Sequence, residues 1–480
     1  MRKEVTGMTP EHKKRQSVTL RALIMIIVLC LALGTGVGFF VARKTSSRES
    51  STGNAILDKI VSLLEDKWVD TTGSDTDMES RMIEGLVDGL GDQATTWMSE
   101  DEAEEFSDSL NGSDDGIGVM FMAIDSGAFV TRIISGSPAE EAGLRAGDII
   151  IQSDGVSLEG KTASEIRNLM TGESGTNATL KVQRGSETPI IKVQRAAIET
   201  SVFYDVRENN GTSFGYIQVL SISSGAETKI EEALKAFRAK GITTLVMDMR
   251  DNGGGYLDTA RSVLDLFNEK GTVLYSTAAN SGEKKAYKAS SDTAYNFDKG
   301  YVLVNGSTAS AAEIIAAGLR DLNGFKLVGS MTYGKGTIQT RKTLSDKSVL
   351  KYTYAQWYTA KGESINKKGL TPDLEVRTLS YSDLDLTSFD DTYKQDDVSD
   401  HIATMETLLD AMGYNPGRTD GYFSTQAETA LKTYQKDNSL DQTGTLNEST
   451  VKYLLASYSL YMEDLSHDTI YQQALTDMMA

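Results

Sequence analysis

The sequence carries one long uncharged stretch, Ala22 to Ala42, close to its N-terminus. A helix of this length rises by about 30 Å and can cross a bilayer. Six basic residues precede the stretch, whereas Arg43 and Lys44 follow it. This asymmetry predicts a transmembrane anchor in the cell membrane, with residues 1–21 as a basic cytoplasmic tail and the body on the extracytoplasmic side. A cleaved signal peptide is the alternative, but the stretch is long for one and lacks a clear small-x-small cleavage site.

Charge is unevenly distributed along the chain. The net charge is −20, yet residues 1–48 contain nine Lys or Arg against two Glu, so the remaining residues carry −27. Such an acidic body excludes nucleic acid as its partner, because phosphate binding requires a basic surface. The single cysteine, Cys30, lies in the predicted anchor. Outside the membrane, core packing must therefore hold the fold without disulfides.

The rest of the chain divides into segments of different character. Residues 43–54 are serine-rich and predict a stalk, and residues 55–110 have the apolar period of helices. Two partners fit the apolar faces of these helices: a second copy of the chain, giving a homodimer, or the next domain, which they would cap. Over residues 113–200, short β-stretches alternate with glycine turns, with one helix at Thr162–Met170.

Residues 201–377 alternate between strand and helix patterns. Buried strands are predicted at Thr243–Met249 and Tyr301–Val304, and helices at Tyr256–Asn268 and Ser310–Leu322. This rhythm predicts an α/β core whose site lies in loops at the C-terminal ends of the strands. The chain ends with an acidic linker over residues 378–400, a small three-helix module over 401–456 and a tail over 457–480.

No histidine occurs between His12 and His401. A histidine base, a thiolate nucleophile and a His/Cys metal site are therefore excluded from the central region. His401 has no second ligand at metal-binding spacing, so a packing or solvated role is favoured for it. A serine activated by a lysine is one of the few hydrolytic solutions that remain. We expect neither a metal nor a cofactor.

Ser310 and Lys335 are the candidates for this pair. Ser310 lies between a predicted strand and a predicted helix, where the helix dipole and the N–H of Ala311 can stabilise an oxyanion. A capping box of Ser310 with Glu313 explains the same residues. Lys335 needs its pKa lowered from about 10.4 to roughly 7–8 to act as a base, whereas a surface lysine is the default interpretation. Gln339 offers an uncharged amide that can orient an amine.

A glycine-rich loop, Asp251 to Gly255, follows the strand predicted at Thr243–Met249. Its uncovered N–H groups suit an anion or an oxyanion. Nucleotide phosphate is the weaker alternative, because no Gly-Lys-Ser/Thr follows at the Walker spacing.

Four motifs of this region resemble those of the carboxyl-terminal processing proteases, which are tail-specific Ser/Lys peptidases. The motifs are Asp248 to Gly255, Asn305 to Ile314, Gly329 to Gln339 and Lys368 to Val376. The resemblance implies roles for five residues: nucleophile Ser310, base Lys335, supporting amide Gln339, and oxyanion donors Gly254 and Ala311. Gly253 stands where the family usually has proline, which implies a more flexible loop.

Ordered glycine motifs between residues 113 and 200 resemble a PDZ domain. They are Gly116-Ile117-Gly118-Val119, Ser137-Pro138-Ala139, Gly147-Asp148-Ile149-Ile150 and Asp154-Gly155. The resemblance implies that Gly116 to Val119 bind the terminal carboxylate of a peptide that adds as a strand. It also implies that Arg167 senses substrate. Turn glycines and a solvated helix arginine are the alternatives.

Residues 401–456 contain Gly413-Tyr414 and Asp420-Gly421-Tyr422-Phe423. This order resembles the peptidoglycan-binding three-helix domain and implies peptidoglycan as a partner.

The sequence thus predicts an α/β protease core with an inserted β-rich PDZ domain, an N-terminal transmembrane helix with a helical segment, and a C-terminal three-helix module. The expected function is a membrane-anchored extracytoplasmic serine endopeptidase, gated by the PDZ domain. Its expected substrates are proteins with free, unstructured C-termini. A non-enzymatic wall-bound PDZ scaffold with an inactive core is the alternative. A cell-wall hydrolase is disfavoured, since the core offers neither a zinc site nor a convincing carboxylate pair.

Overall fold

The computed structural model describes residues 54–69, 77–108, 113–199, 201–292, 294–379, 383–387, 389 and 391–480. Residues 1–81 and 82–480 are two compact units. The predicted cytoplasmic tail, anchor and nearly all of the stalk lie outside the described residues. Among the residues that are described, no helix combines the length and apolarity needed to span a membrane.

The described part of the first unit contains helix α1 (Ala55–Lys67), which begins where the Asn54 side chain accepts hydrogen bonds from two backbone N–H groups. Its apolar residues Ile56, Ile60 and Leu63 are exposed. Helix α2 (Met78–Asp88) crosses the boundary between the units. Strand β1 (Thr96–Met98) and helix α3 (Glu100–Asp108) follow in the second unit.

A β-rich domain is inserted at a two-stranded stem, in which β2 (Ser113–Gly116) pairs with β9 (Ala196–Glu199). Its sheet has the order β3-β4-β5-β7-β8, with β6 paired to β5. The elements are β3 (Val119–Ile124), β4 (Gly127–Ile133), α4 (Pro138–Glu141), β5 (Ile149–Ser153), β6 (Val156–Ser157), α5 (Ala163–Met170), β7 (Asn177–Gln183) and β8 (Ile190–Gln194). Strand β3 therefore lies at the edge of the sheet, where a peptide strand can be added.

The α/β core is a mixed sheet with the order β10-β11-β12-β15-β16-β19, parallel except for β10. Its strands are β10 (Val202–Asn209), β11 (Thr212–Val219), β12 (Thr244–Asp248), β15 (Lys299–Val304), β16 (Lys326–Gly329) and β19 (Leu374–Glu375). Helices α6 (Ala226–Ala239), α7 (Leu257–Asp265) and α8 (Ala311–Asn323) bury their apolar faces against one side of this sheet. Every residue of β12 is buried, as expected for a strand covered on both faces.

A second, antiparallel sheet stands beside the core, and its strands were not predicted from the sequence. Strand β1 joins it through β18, in the order β1-β18-β13-β14, with β17 also paired to β18. The other strands are β13 (Val273–Ala279), β14 (Lys284–Lys288), β17 (Thr337–Thr343) and β18 (Val349–Tyr358).

Helices α9 (Asp400–Ala411), α10 (Thr425–Asp437) and α11 (Glu448–Met462) form the C-terminal module. Part of the predicted linker packs on it, because Leu379, Leu384 and Phe389 contact its core. The His401 ring stacks on Phe389 at a centroid distance of 3.9 Å, which is a packing role. Helix α11 in turn packs on β3 and β4 of the inserted domain.

The predicted tail contains a further helix, α12 (Thr469–Met478). It covers the face of the core sheet opposite α8, where Ile470, Tyr471 and Met478 pack on Phe214 and other buried residues of the strands. No helix was predicted in residues 457–480, because a helix of ten residues gives a weak periodic signal. Packing against the apolar face of the core sheet stabilises it here.

Tyr471→Ala should lower the free energy of unfolding by about 3 kcal/mol, because it removes a ring buried against the core sheet. Thermal unfolding and hydrogen exchange of α12 measure the effect. Thr476→Ala, at an exposed position of the same helix, is the control and should change stability by less than about 0.5 kcal/mol. Equal stability of the two variants would contradict this packing.

Candidate active site

Two neighbouring parallel strands, β12 and β15, end beside each other, and the loops after them are joined. The N–H of Asp251 donates to Asn305 Oδ1 at 3.1 Å, and Asn305 Nδ2 donates to Asp251 Oδ1 at 2.9 Å. The N–H of Ala309 donates to the carbonyl of Asn252 at 2.9 Å. These bonds fix the glycine-rich loop against the segment that leads into Ser310.

Ser310 occupies the turn between β15 and α8 with a φ of 56° and a ψ of −119°. An ordinary N-cap residue has an extended backbone, whereas a positive φ is strained for a residue with a Cβ. A strained strand-to-helix turn is typical of a serine nucleophile presented to substrate. The backbone therefore differs from that of a simple capping serine.

The carboxylate of Glu313 connects Ser310 to the segment of Lys335. It is fully buried and accepts four hydrogen bonds. The N–H groups of Ser310 and Lys335 donate to Oε2, each at 2.9 Å. The Thr332 hydroxyl and the N–H of Gly334 donate to Oε1, at 2.5 and 2.8 Å. The sequence indicated only the capping contact of Glu313, since nothing in its spacing reveals the second loop.

The backbone around Lys335 is held by further contacts. Trp357, which is buried, donates from its indole N–H to the Lys335 carbonyl at 2.9 Å. The N–H of Gly336 donates to Asn366 Oδ1 at 3.2 Å. A Cβ at Gly336 would lie 2.5 Å from the Cβ of Asn366, so only glycine allows this approach.

Burial lowers the pKa of the Lys335 ammonium from its ordinary value, and the positive charge of Lys351 lowers it further. The carboxylates of Asp92 and Glu313 act in the opposite direction without cancelling the shift. A lysine with a lowered pKa can accept a proton nearer to neutral pH.

A cleft of about 560 Å³ brings the five predicted catalytic residues together. It is lined by Ser310, Ala311, Gly254, Lys335 and Gln339, among others. The side-chain amide of Gln339 donates to the hydroxyls of Thr337 and Thr353, at 3.1 and 3.0 Å. Gln339 thus lies in the cleft with its N–H groups bonded to threonines.

The two predicted oxyanion donors, Gly254 and Ala311, are adjacent but differ in the hydrogen bonding of their N–H groups. A Cβ at Gly254, where φ is 103°, would lie 2.9 Å from Ser310 Cβ and 3.0 Å from the Ala311 nitrogen. The N–H of Gly254 donates to Asn252 Oδ1 at 2.9 Å. Ala311 begins α8, where a backbone N–H has no partner within its own helix.

The PDZ residues lie on the inserted domain and do not line this cleft. Ile117 is buried. Gly118 has a φ of 87°, and its carbonyl accepts hydrogen bonds from the N–H of Ile134 and from the Ser137 hydroxyl. A Cβ at Gly118 would lie 2.2 Å from Ser137 Cβ. Gly116 and Val119 flank this turn at the ends of β2 and β3, and Arg167 is exposed on α5.

A buried ion-pair network lies directly before the glycine-rich loop and holds its first residues in place. Arg250, the residue before Asp251, donates to Asp248 and also pairs with Asp468 at 2.7 Å. Burial alone would raise the pKa of Asp248, but the charge of Arg250 holds it below its ordinary value. Asp468 precedes α12 and also caps it, accepting from Tyr471 N–H at 3.0 Å. No sequence pattern predicts this contact, which spans 218 residues.

Asp468→Asn should slow labelling of Ser310 by a fluorophosphonate at least about 10-fold, because Arg250 then lacks one partner of a buried pair next to the glycine-rich loop. Asp477→Asn is the control. Asp477 lies on α12 itself but pairs with the half-exposed Lys326, so labelling should stay within about twofold. Labelling of Asp468→Asn at the unaltered rate would contradict the support role.

Three family models match the segments that contain the catalytic, PDZ and C-terminal sequence motifs. A model of peptidase family S41 matches residues 213–376, a PDZ domain model matches 129–184, and a peptidoglycan-binding domain model matches 399–454. A solved structure, the photosystem II D1 C-terminal processing protease, is 26% identical and covers 68% of this chain and 87% of its own, with a TM-score of 0.41.

Curated relatives match over most of the chain. The carboxy-terminal processing protease CtpA of Bacillus subtilis (strain 168) is 30% identical over 461 residues, which are 94% of this chain and 97% of that protein. A CtpA-like serine protease of Staphylococcus epidermidis is 32% identical over 372 residues, 77% of this chain and 74% of that protein. The chain belongs to peptidase family S41 and is a serine-type peptidase of the carboxy-terminal processing protease family.

Proposed function

We propose that this peptidase cleaves proteins with a Ser310–Lys335 dyad, on the extracytoplasmic side of the membrane. One observation carries the proposal. A strained serine and a half-buried lysine of lowered pKa line one cleft, and the same carboxylate, that of Glu313, binds the backbone of both.

In the acylation step, the neutral amine of Lys335 accepts the proton of the Ser310 hydroxyl while Oγ attacks the scissile carbonyl. The resulting oxyanion is held by the N–H groups of Ala311 and Gly254. The ammonium of Lys335 then protonates the leaving amine, and the C–N bond breaks. A water molecule then gives a proton to Lys335 and attacks the acyl carbonyl. The ester bond breaks, and the Lys335 ammonium returns that proton to Ser310 Oγ.

The Gly254 donor requires a change before it can act. Its N–H is bonded to Asn252, so the loop must exchange this contact for one with the oxyanion. Glycine at position 253 favours such a change because its backbone is less restricted than that of the proline usual in the family, and the space around it is open. Gln339 supports the Lys335 amine in the same cleft.

Substrate capture is assigned to the PDZ domain. Gly116 to Val119 bind the terminal carboxylate of an unstructured tail, which adds as a strand along the edge of β3. Arg167 senses the bound tail, and binding of the tail to the PDZ domain controls access to the cleft. The edge position of β3 and the close approach at Gly118 support this assignment.

Three further assignments concern position in the cell. Ala22 to Ala42 form a single-pass anchor, and the C-terminal module binds peptidoglycan, a role that the family match to residues 399–454 supports. The exposed apolar side chains Ile56, Ile60 and Leu63 of α1 pair with those of a second copy. Size measurement of Ile60→Glu against the unchanged protein tests the homodimer.

Ser310→Ala and Lys335→Ala should each abolish cleavage of a tailed protein substrate without unfolding the enzyme. Ser307→Ala, at an exposed position of the same loop, is the matched control and should cleave normally. Because the neutral amine is the active form, kcat/KM should rise with pH through the lowered pKa of Lys335 and level off above it. Cleavage by either dyad variant, or activity independent of pH on this limb, would argue against the dyad.

Amidation of the substrate's C-terminus should raise KM roughly 10- to 100-fold, the cost of losing charge-assisted hydrogen bonds worth about 1.5–3 kcal/mol. A steady-state assay of matched free and amidated substrates measures this effect. Gly118→Ala should reduce the difference, because its Cβ would force the carboxylate loop away from Ser137. Equal KM values for the free and amidated substrates would refute capture through the terminal carboxylate.

A further inference from the structure

Two more basic residues, Arg341 and Lys351, line the cleft that contains Ser310 and Lys335. They lie on β17 and β18 and are directly opposite each other in the antiparallel register. Like charges in such a pair are destabilising, so an arrangement of this kind calls for a compensating anion. Both charges also lie over the Phe106 ring, at 5.9 and 4.6 Å from its centre.

The described side chains around this pair do not supply that anion. Among the side chains that the structure describes, no carboxylate lies within ion-pair distance of Arg341 or Lys351. The Arg341 side chain donates to the neutral Ser107 hydroxyl at 3.0 Å.

The two acidic groups that act on Lys335 already have other partners. Glu313 accepts four hydrogen bonds from the loops, and Asp92 accepts from Ala94 N–H and the Thr95 hydroxyl, at 3.1 and 2.6 Å. The cleft thus presents the charges of Arg341 and Lys351 beside Lys335, in a chain of net charge −20.

We propose that Arg341 and Lys351 form a subsite for a carboxylate of the substrate close to the scissile bond. The proposal rests on the proposed function of Ser310 and adds a preference to it. Arginine offers a planar pair of donors to a carboxylate, and lysine offers a point charge beside it. The carboxylate belongs either to an Asp or Glu side chain or to the terminus of a short tail.

Matched fluorogenic peptides can separate these sources. Glu is placed in turn at each position around the scissile bond, each peptide has a Gln isostere, and both are made with free and amidated C-termini. The enzymes are the unchanged protein, Arg341→Gln, Lys351→Gln and the control Lys342→Gln. Lys342 is the exposed neighbour of Arg341 on β17 and does not line the cleft.

All enzymes in this comparison also carry Gly118→Ala, which weakens PDZ capture of the terminal carboxylate, so that any remaining preference reports on the cleft. With Arg341 and Lys351 intact, kcat/KM should be at least about 10-fold higher for Glu than for Gln at one position, or for the free over the amidated short tail. The first result identifies a side chain as the source and the second identifies the terminus. The preference should fall below about threefold in Arg341→Gln and Lys351→Gln and persist in Lys342→Gln. Lys351→Glu should abolish the Glu preference, because the new carboxylate would pair with Arg341, which lies directly opposite.

Two results would overturn the subsite. One is cleavage by the unchanged enzyme with no preference for a carboxylate. The other is an equal loss on Glu and Gln peptides in both variants, which would mean that these cations act only on the pKa of Lys335. Binding of the same peptides to Ser310→Ala, followed by fluorescence anisotropy, tests the subsite independently of catalysis. A Glu preference in binding, with no cleavage by the unchanged enzyme, would support the subsite and refute the proposed function.

Discussion

A single buried carboxylate organises the centre of this protein. Glu313 lies on the first turn of a core helix, and it accepts from the backbone of Ser310 on one side and from that of Gly334 and Lys335 on the other. A buried charge is tolerated only when it is fully hydrogen-bonded, and here backbone N–H groups and one hydroxyl meet that need. Because both loops share one acceptor, neither can move without leaving a charge unsatisfied in the core.

Much of the α/β core was predictable from the sequence, since its parallel strands are covered on both faces and read as continuous apolar runs. The strand predicted at Thr243–Met249 is present as Thr244–Asp248, and the helix predicted at Ser310–Leu322 is present as Ala311–Asn323. The antiparallel sheet was missed, because its strands have few buried positions to produce an apolar pattern: β17 buries only Ile338, and β18 only Ala355 and Trp357. Their pairing depends on partners far away in the sequence.

The candidate site was likewise only partly predictable from the sequence. Residue type and spacing indicated Ser310, Ala311, Lys335, Gln339 and the glycine-rich loop, the family resemblance singled out Gly254 within that loop, and the fold brings all five residues to one cleft. Local patterns could not reveal Asp468, which reaches Arg250 across 218 residues, or the bond that engages the Gly254 N–H. Such contacts arise from the packing of whole elements, for which a single sequence carries no periodic signal.

The C-terminal module is joined to the core at both of its ends. Before it, Leu374–Glu375 form the last strand of the core sheet, and after it, α12 packs on a face of that same sheet. The module is therefore a loop-like insertion between two parts of one core. A single proteolytic nick between residues 376 and 399 would leave the severed pieces associated under native conditions, and only denaturation would separate them.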